Sequence, residues 1–275
     1  MSALKRYDVL IAGATFEGLG IASAAGNRAV LFERTGGVGV EFTTTYRQAA
    51  IDRTFSVSPG AEALRQEADG RNIISAEGGI HWPAFVPILH QVIQKEKLEV
   101  RFLTRIIEVA ANPSGDYRVT LIDAAGLSTV LTGRIVDTTN FCETAPQAAA
   151  GYQGKRRLNA VIHNSSAPEQ QPPDCDGYPV HGGRFATEWV TSVALEAEDD
   201  WASARERLLA HWAKRPEALR PWQLATIADG FDVEVEAGTG LDIADRWVWR
   251  PAAQYRDPVA AFEAGLQSAA EVRTV

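Results

Sequence analysis

A short apolar run that breaks at once into a glycine turn limits the folds open to this chain more than any other feature. Tyr7-Asp8-Val9-Leu10-Ile11-Ala12 lacks the strict alternation of a half-exposed strand and reads as one buried on both faces of a parallel sheet. Gly13 to Gly20 lead into a helix of small residues, Leu19 to Ala25, which Gly26-Asn27 end before a second strand, Ala29 to Phe32, that closes on Glu33. Strand, helix and strand in that order form a βαβ unit, whose two strands lie side by side and parallel.

Further along, Phe85, Ile88, Leu89, Val92 and Ile93 recur at helical spacing and predict a helix over 82–97. Strand-like runs follow at 100–103, 106–110, 117–122 and 129–131, with turns at Asn112-Pro113-Ser114-Gly115 and Ala124-Ala125-Gly126, and a further short strand is expected at 134–137. That is a meander set into an α/β frame. Residues 141–240 change character: a Pro- and Gln-rich loop, Ser165 to Pro173, separates the strand-like runs 158–162 and 184–195. A helix begun by Asp199-Asp200 follows, with Trp201, Ala204, Leu208, Leu209 and Trp212 expected on one face. A last helix starts with Asp257 as cap and Pro258 in its first turn, turning Val259, Phe262 and Leu266 inward.

Composition closes off several functions. With 275 residues and 45% hydrophobic content the chain has ample core, and its net charge of −8 without a basic stripe argues against nucleic acid as a partner. No window approaches the roughly 18 apolar residues of a membrane span. Lys5 and Arg6 run straight into a strand without the apolar centre of a signal peptide, so a soluble, cytoplasmic chain is expected. Two cysteines, Cys142 and Cys175, are too few for a metal cage and are expected reduced; no metal site is expected. The histidines at 81, 90, 163, 181 and 211 form no Ser-His-Asp or metal-spaced set, and no catalytic side chain is assigned.

The turn itself, Gly13-Ala14-Thr15-Phe16-Glu17-Gly18, stands where dinucleotide-binding βαβ units hold a diphosphate. Gly13 permits the sharp turn, the helix N-terminus offers N–H groups to an anion, and Gly18 permits close packing. Glu33, 20 residues after Gly13, is placed to accept ribose hydroxyls. With Glu33-Arg34-Thr35-Gly36-Gly37 added, the sequence resembles the FAD-dependent oxidoreductases with a glutathione-reductase-type FAD domain. Thr104 to Val109 is similar to that group's adenine-contacting strand, with Ile106 at the contact, and Val136-Asp137-Thr138-Thr139-Asn140 is similar to its Asp-Ala-Thr-Gly strand end. Tyr255 to Gly265 has the place of its returning C-terminal helix, which the resemblance aims at the flavin, bringing Arg256 and Asp257 with it. The Gly37 loop and Thr43-Thr44-Thr45 with Arg47 are implied to pass near the cofactor, Thr44 in contact with it. Three positions depart from the pattern: Thr15 replaces the second glycine, and Phe16-Glu17 puts bulk and a carboxylate beside the phosphate position.

The expected architecture is therefore α/β: a Rossmann-like FAD-binding domain with parallel sheet and β-meander over 1–140, completed by 241–275, plus a smaller inserted α+β cap over 141–240. The expected function is FAD-dependent redox chemistry on a small-molecule substrate, as a homo-oligomer or with a partner subunit left open. The alternative is a degenerate FAD-fold protein that serves as a subunit or a partner-binding module.

Overall fold

The computed structural model describes residues 4–152 and 154–272; the outermost residues of the two expected terminal segments, 1–3 and 273–275, lie outside it. The first part of the chain alternates strand and helix: β1 (Lys5–Ala12), α1 (Phe16–Ala25), β2 (Ala29–Phe32), α2 (Val40–Thr43), α3 (Pro59–Gly70), α4 (Phe85–Glu96) and β3 (Val100–Arg101). The meander follows as β4 (Arg105–Ala111), β5 (Tyr117–Asp123) and β6 (Gly126–Asp137). Next come β7 (Lys155–His163), β8 (Val180–Gly182), β9 (Trp189–Leu195), α5 (Trp201–Ala213), β10 (Gln223–Ile227) and β11 (Asp232–Glu234). The chain finishes with β12 (Leu241–Ala244), β13 (Trp247–Trp249) and α6 (Pro258–Val272).

The first sheet runs β12-β13-β6-β1-β2-β3, parallel from β13 through to β3, with the meander attached through β6. β6 is one continuous strand where the sequence suggested two. Its first half pairs antiparallel with β5, and the whole run from Val130 to Asp137 lies parallel to β1. Alternation along the buried strands sorts the core. Ala29 and Leu31 face the layer of α1, α3, α4 and α6, while Val30 and Phe32 face Tyr117, Val119 and Leu121 of the meander.

α1 is buried or half-buried along its whole length and its backbone touches that of α6. A methyl group on Gly20 would stand 2.2 Å from the Phe262 carbonyl oxygen, and one on Gly265 2.1 Å from that of Glu17, so only glycine lets the two helices meet. Val259 and Phe262 of α6 are buried and Leu266 packs partly against them, as its pattern indicated. On α5, Ala204, Leu208 and Trp212 are buried, whereas Trp201 and Leu209 are exposed, because the covered stripe is narrower than the sequence suggested.

The second sheet is antiparallel, in the order β10-β7-β9-β8 with β11 also on β7, and α5 packs on it through Leu158, Ala160, Ala204 and Leu208. It docks on the end of α2. The Asn159 side-chain amide donates to the Thr45 carbonyl at 2.9 Å, and the Asp229 N–H donates to the Thr44 carbonyl at 2.8 Å.

Candidate functional site

At the carboxyl ends of β1 and β2 the chain builds a cleft of about 140 Å³ lined by Gly13, Thr15, Glu33, Arg34, Glu41, Thr44, Thr139 and Glu143, with Asp229-Gly230-Phe231 of the second sheet above it. The place follows from topology, since a parallel sheet opens its ligand crevice where strand order reverses, here between β1 and β6. Gly13 has φ +95°, a left-handed angle that its missing Cβ permits, and its N–H donates to the Phe32 carbonyl at 2.9 Å.

The helix starts earlier than its apolar run suggested, at Phe16, because Thr15 caps it: the Thr15 hydroxyl accepts from the Gly18 N–H at 2.9 Å and donates to Thr138 Oγ1 at 2.7 Å. Phe16 and Glu17 are therefore helical, and Phe16 is buried edge-on against Phe42 and Phe85 instead of facing the cleft. One N–H at the head of α1 already has an anion on it. The Glu41 carboxylate accepts from the Phe16 N–H through Oε1 at 2.7 Å, while its Oε2 is buried without a hydrogen-bond partner. Burial pushes the Glu41 carboxyl up to about 7 against the pull of the Phe16 N–H and Arg47.

Glu33, at the end of β2, binds the turn from the other side. Its Oε2 accepts from the Ala14 N–H at 2.9 Å, and its Oε1 accepts from the Thr35 N–H at 2.8 Å and the Thr35 hydroxyl at 2.7 Å. Arg34 reaches across the mouth to Glu143 at 3.0 Å, and burial raises the Glu143 carboxyl to about 7 in spite of that cation. Beneath the cleft Asp137 is fully buried and accepts four hydrogen bonds, from the N–H and hydroxyl of both Thr139 and Thr144.

Of the residues read from sequence, Gly13, Thr15, Glu33, Arg34 and Thr44 meet at this cleft, whereas Ala14, Phe16, Gly18 and Thr138 are buried and do not line it. Gly37 is tied in through its N–H to the Thr35 hydroxyl at 3.1 Å. Four others lie elsewhere. Glu17 points to the far side of α1, beside Arg250 and the Tyr255 hydroxyl, where burial raises its carboxyl to about 7. Ile106 packs on the meander core. Arg256 is at the surface in an ion pair with Glu234, and Asp257 caps its own helix by accepting from the Val259 and Ala260 N–H groups. The sequence reading missed Glu41, Glu143 and the 229–231 turn. Glu41 carries no local signal beyond being an acid soon after a glycine loop, since its partner is supplied by tertiary approach.

The sequence matches no family model and none of the curated proteins. Solved structures do match. The p-nitrophenol 4-monooxygenase of Pseudomonas putida aligns with a TM-score of 0.62 at 14% identity, over 97% of this chain and 78% of its own length. Glycine oxidase of Geobacillus kaustophilus aligns at 0.62 and 14%, over 98% of this chain and 94% of its own. Aklavinone-11 hydroxylase, solved as a ternary complex with FAD and aklavinone, aligns at 0.59 and 14%, over 99% of this chain. The chain has the fold of FAD-dependent oxidoreductases. It spans 61% of the length of aklavinone-11 hydroxylase, and about 60% of several other matched structures, such as the OxyS hydroxylase.

The cleft lies at the strand ends of that fold, and two carboxylates meet its backbone donors: Glu41 on the Phe16 N–H at the head of α1 and Glu33 on the Ala14 N–H at the end of β2, so the donors present are of the kind that hold an anion. Its volume is smaller than the 300–1,000 Å³ of pockets that bury a drug-sized ligand. Among the described residues no His, Cys, Asp and Glu side chains gather to hold a metal ion, and no helix is long and apolar enough to cross a membrane.

Proposed function

We propose that this chain is an FAD-dependent oxidoreductase acting on a small organic substrate. The observation that carries the reading is the juxtaposition, in one cleft, of an anion seat at the head of α1 and a carboxylate at the end of β2, the two ends of an adenosine diphosphate. The matched structures support it through chemistry of the same kind, a monooxygenase, a hydroxylase and an oxidase. When bound, the flavin supplies the electron transfer.

The chain's own residues do the holding. Glu33 exchanges the Ala14 and Thr35 N–H groups for ribose hydroxyls, the N–H groups of the α1 head take the phosphates, and the hydroxyls of Thr44, Thr45 and Thr139 line the path between. Arg34, paired with Glu143 at the mouth, would offer a cation to the phosphates. The 229–231 turn, hydrogen-bonded to Thr44, borders the cleft and must lift for a whole dinucleotide to enter. Residues 141–240 act in this reading as the substrate-facing cap, and the chain works alone, as a homo-oligomer or beside a partner subunit.

A second reading draws on the same cleft. Its small volume and the carboxylate already on the Phe16 N–H favour an FAD-fold module that holds no flavin and serves as a subunit or partner-binding platform. The visible spectrum of the protein after incubation with excess FAD and removal of the free cofactor separates the two. Retained flavin bands, absent from Gly13→Val, support the oxidoreductase; a colourless protein supports the module.

A further inference from the structure

We infer that Glu41 is a built-in competitor for the cofactor's diphosphate, seated on the same α1 N-terminus and displaced when the cofactor loads. The inference rests on the FAD reading above and adds to it a residue that sets how tightly and how readily the cofactor is held.

The geometry is specific. The Phe16 N–H is one of the donors that a helix leaves free at its start, and the Glu41 Oε1 lies 2.7 Å from it, as a phosphate oxygen would. Ordinary capping does not require this carboxylate, because Thr15 already caps the helix through the Gly18 N–H. Glu41 is also an uneasy occupant. It is 3% exposed, and its Oε2 has no hydrogen-bond partner, so the site holds a full carboxylate while satisfying only half of it. A diphosphate carries more acceptor oxygens, and the hydroxyls of Thr44, Thr45 and Thr139 that line the same cleft, which now donate to the Val40 and Glu41 carbonyls and to Asp137, would turn from those acceptors to meet it.

The charged groups around Glu41 favour its release once an anion arrives. From the end of β2 it faces Glu33, from the segment after α2 it faces Arg47, and from β11 Asp232 shares Arg47 at 3.5 Å. The Phe16 N–H is its contact on α1. Arg47 is itself buried, donates to the Ala253 carbonyl at 2.7 Å and has one terminal nitrogen without a partner, so a displaced Glu41 has a cation to turn toward. Glu41 rides on the four-residue α2, and just beyond that helix the Thr44 carbonyl accepts from Asp229 and Gly230 and the Thr45 carbonyl from Asn159 of the second sheet. Displacing the side chain therefore loosens the seat of the 229–231 turn, the element that must lift.

The test measures FAD and ADP affinity by flavin fluorescence and by calorimetry for the wild-type chain, Glu41→Gln, Glu41→Ala and Glu33→Gln, with circular dichroism and a melting curve on each. Removing the competing charge is expected to tighten both ligands about tenfold in Glu41→Ala, the size of a partly buried anion's interaction with a helix N-terminus. Glu41→Gln, which keeps the shape and loses the charge, is expected to tighten them less, and Glu33→Gln to loosen them. Should Glu41→Ala fail to fold, the near-isosteric Glu41→Gln decides alone. Wild type and both Glu41 variants binding FAD with equal affinity, or the variants binding it more weakly, would overturn the role of Glu41 and leave the FAD reading standing. Folded wild type and variants that all ignore FAD and ADP would overturn both.

Discussion

Gly265→Ala probes the seam that aims α1 at the cleft. The added methyl would stand 2.1 Å from the Glu17 carbonyl oxygen, 2.8 Å from the Ile21 nitrogen and 2.9 Å from the Gly20 Cα, all backbone atoms of α1 that no rotamer change can move. Ordinary contact begins at 3.4 Å, so α6 has to withdraw by about 1.3 Å. That withdrawal opens the packing of Val259 and Phe262, both buried against α1 and its neighbours. Overpacking of this kind costs about 1–3 kcal/mol, and here the upper end applies because backbone opposes backbone. Alanine's better helix propensity returns about 0.8–1.0 kcal/mol, leaving a net loss of roughly 2 kcal/mol. For a chain of this size that lowers the melting temperature by about 4–8 °C. Urea unfolding followed by tryptophan fluorescence measures it, with Gly70→Ala at the open end of α3 as control, where an added methyl meets nothing. A Gly265→Ala protein within about 0.5 kcal/mol of wild type would refute the close approach of the two helices.

Other outcomes follow from the same geometry. Glu17 and Glu41 both have carboxyls raised by burial from 4.5 to about 7, so the folded chain binds protons that the unfolded chain has released between those values; stability falls as pH rises through that window, by roughly 3 kcal/mol per group. Urea midpoints at pH 5.5 and 8.5 check the sign, and a higher midpoint at pH 8.5 would contradict it. Asp137→Asn puts an amide N–H₂ in place of one oxygen that accepts two hydrogen bonds, with an expected loss of about 2–3 kcal/mol in the same assay and none if those bonds are incidental. Limited proteolysis is expected to cut first in the exposed 165–173 loop, leaving a fragment that ends there; first cuts within residues 1–40 would count against a separable second sheet.

Much of the frame was legible because its signals are local. The unbroken apolar runs of β1 and β2, the helical stripe of α4 and the Asp257-Pro258 start of α6 each follow from residues within a few positions. β2 ends at Phe32 with Glu33 beyond it, where the strand was expected to close. The start of α1 was misplaced by three residues, since the capping power of Thr15 outweighs the poor helical character of the turn that follows. α3 went unread although Ser58-Pro59 opens it, because its buried face is only Ala61, Leu64 and Ala68. The cleft was half legible. Gly13 and Glu33 declare themselves by spacing, but Glu41, Glu143 and the 229–231 turn reach it through long-range packing that leaves no period in the sequence. Arg256 illustrates the opposite case: the resemblance brought it toward the cofactor with the returning helix, and the structure pairs it at the surface with Glu234 on β11.

The central claim is that the head of α1 and the end of β2 form an adenosine-diphosphate site for FAD, and equilibrium titration of the whole chain with FAD, in competition with ADP, tests it most directly. The account predicts saturable binding of one FAD per chain, displaced by ADP and lost in Gly13→Val. Absence of bound flavin at saturating FAD, in wild type and in Glu41→Gln alike, would contradict it.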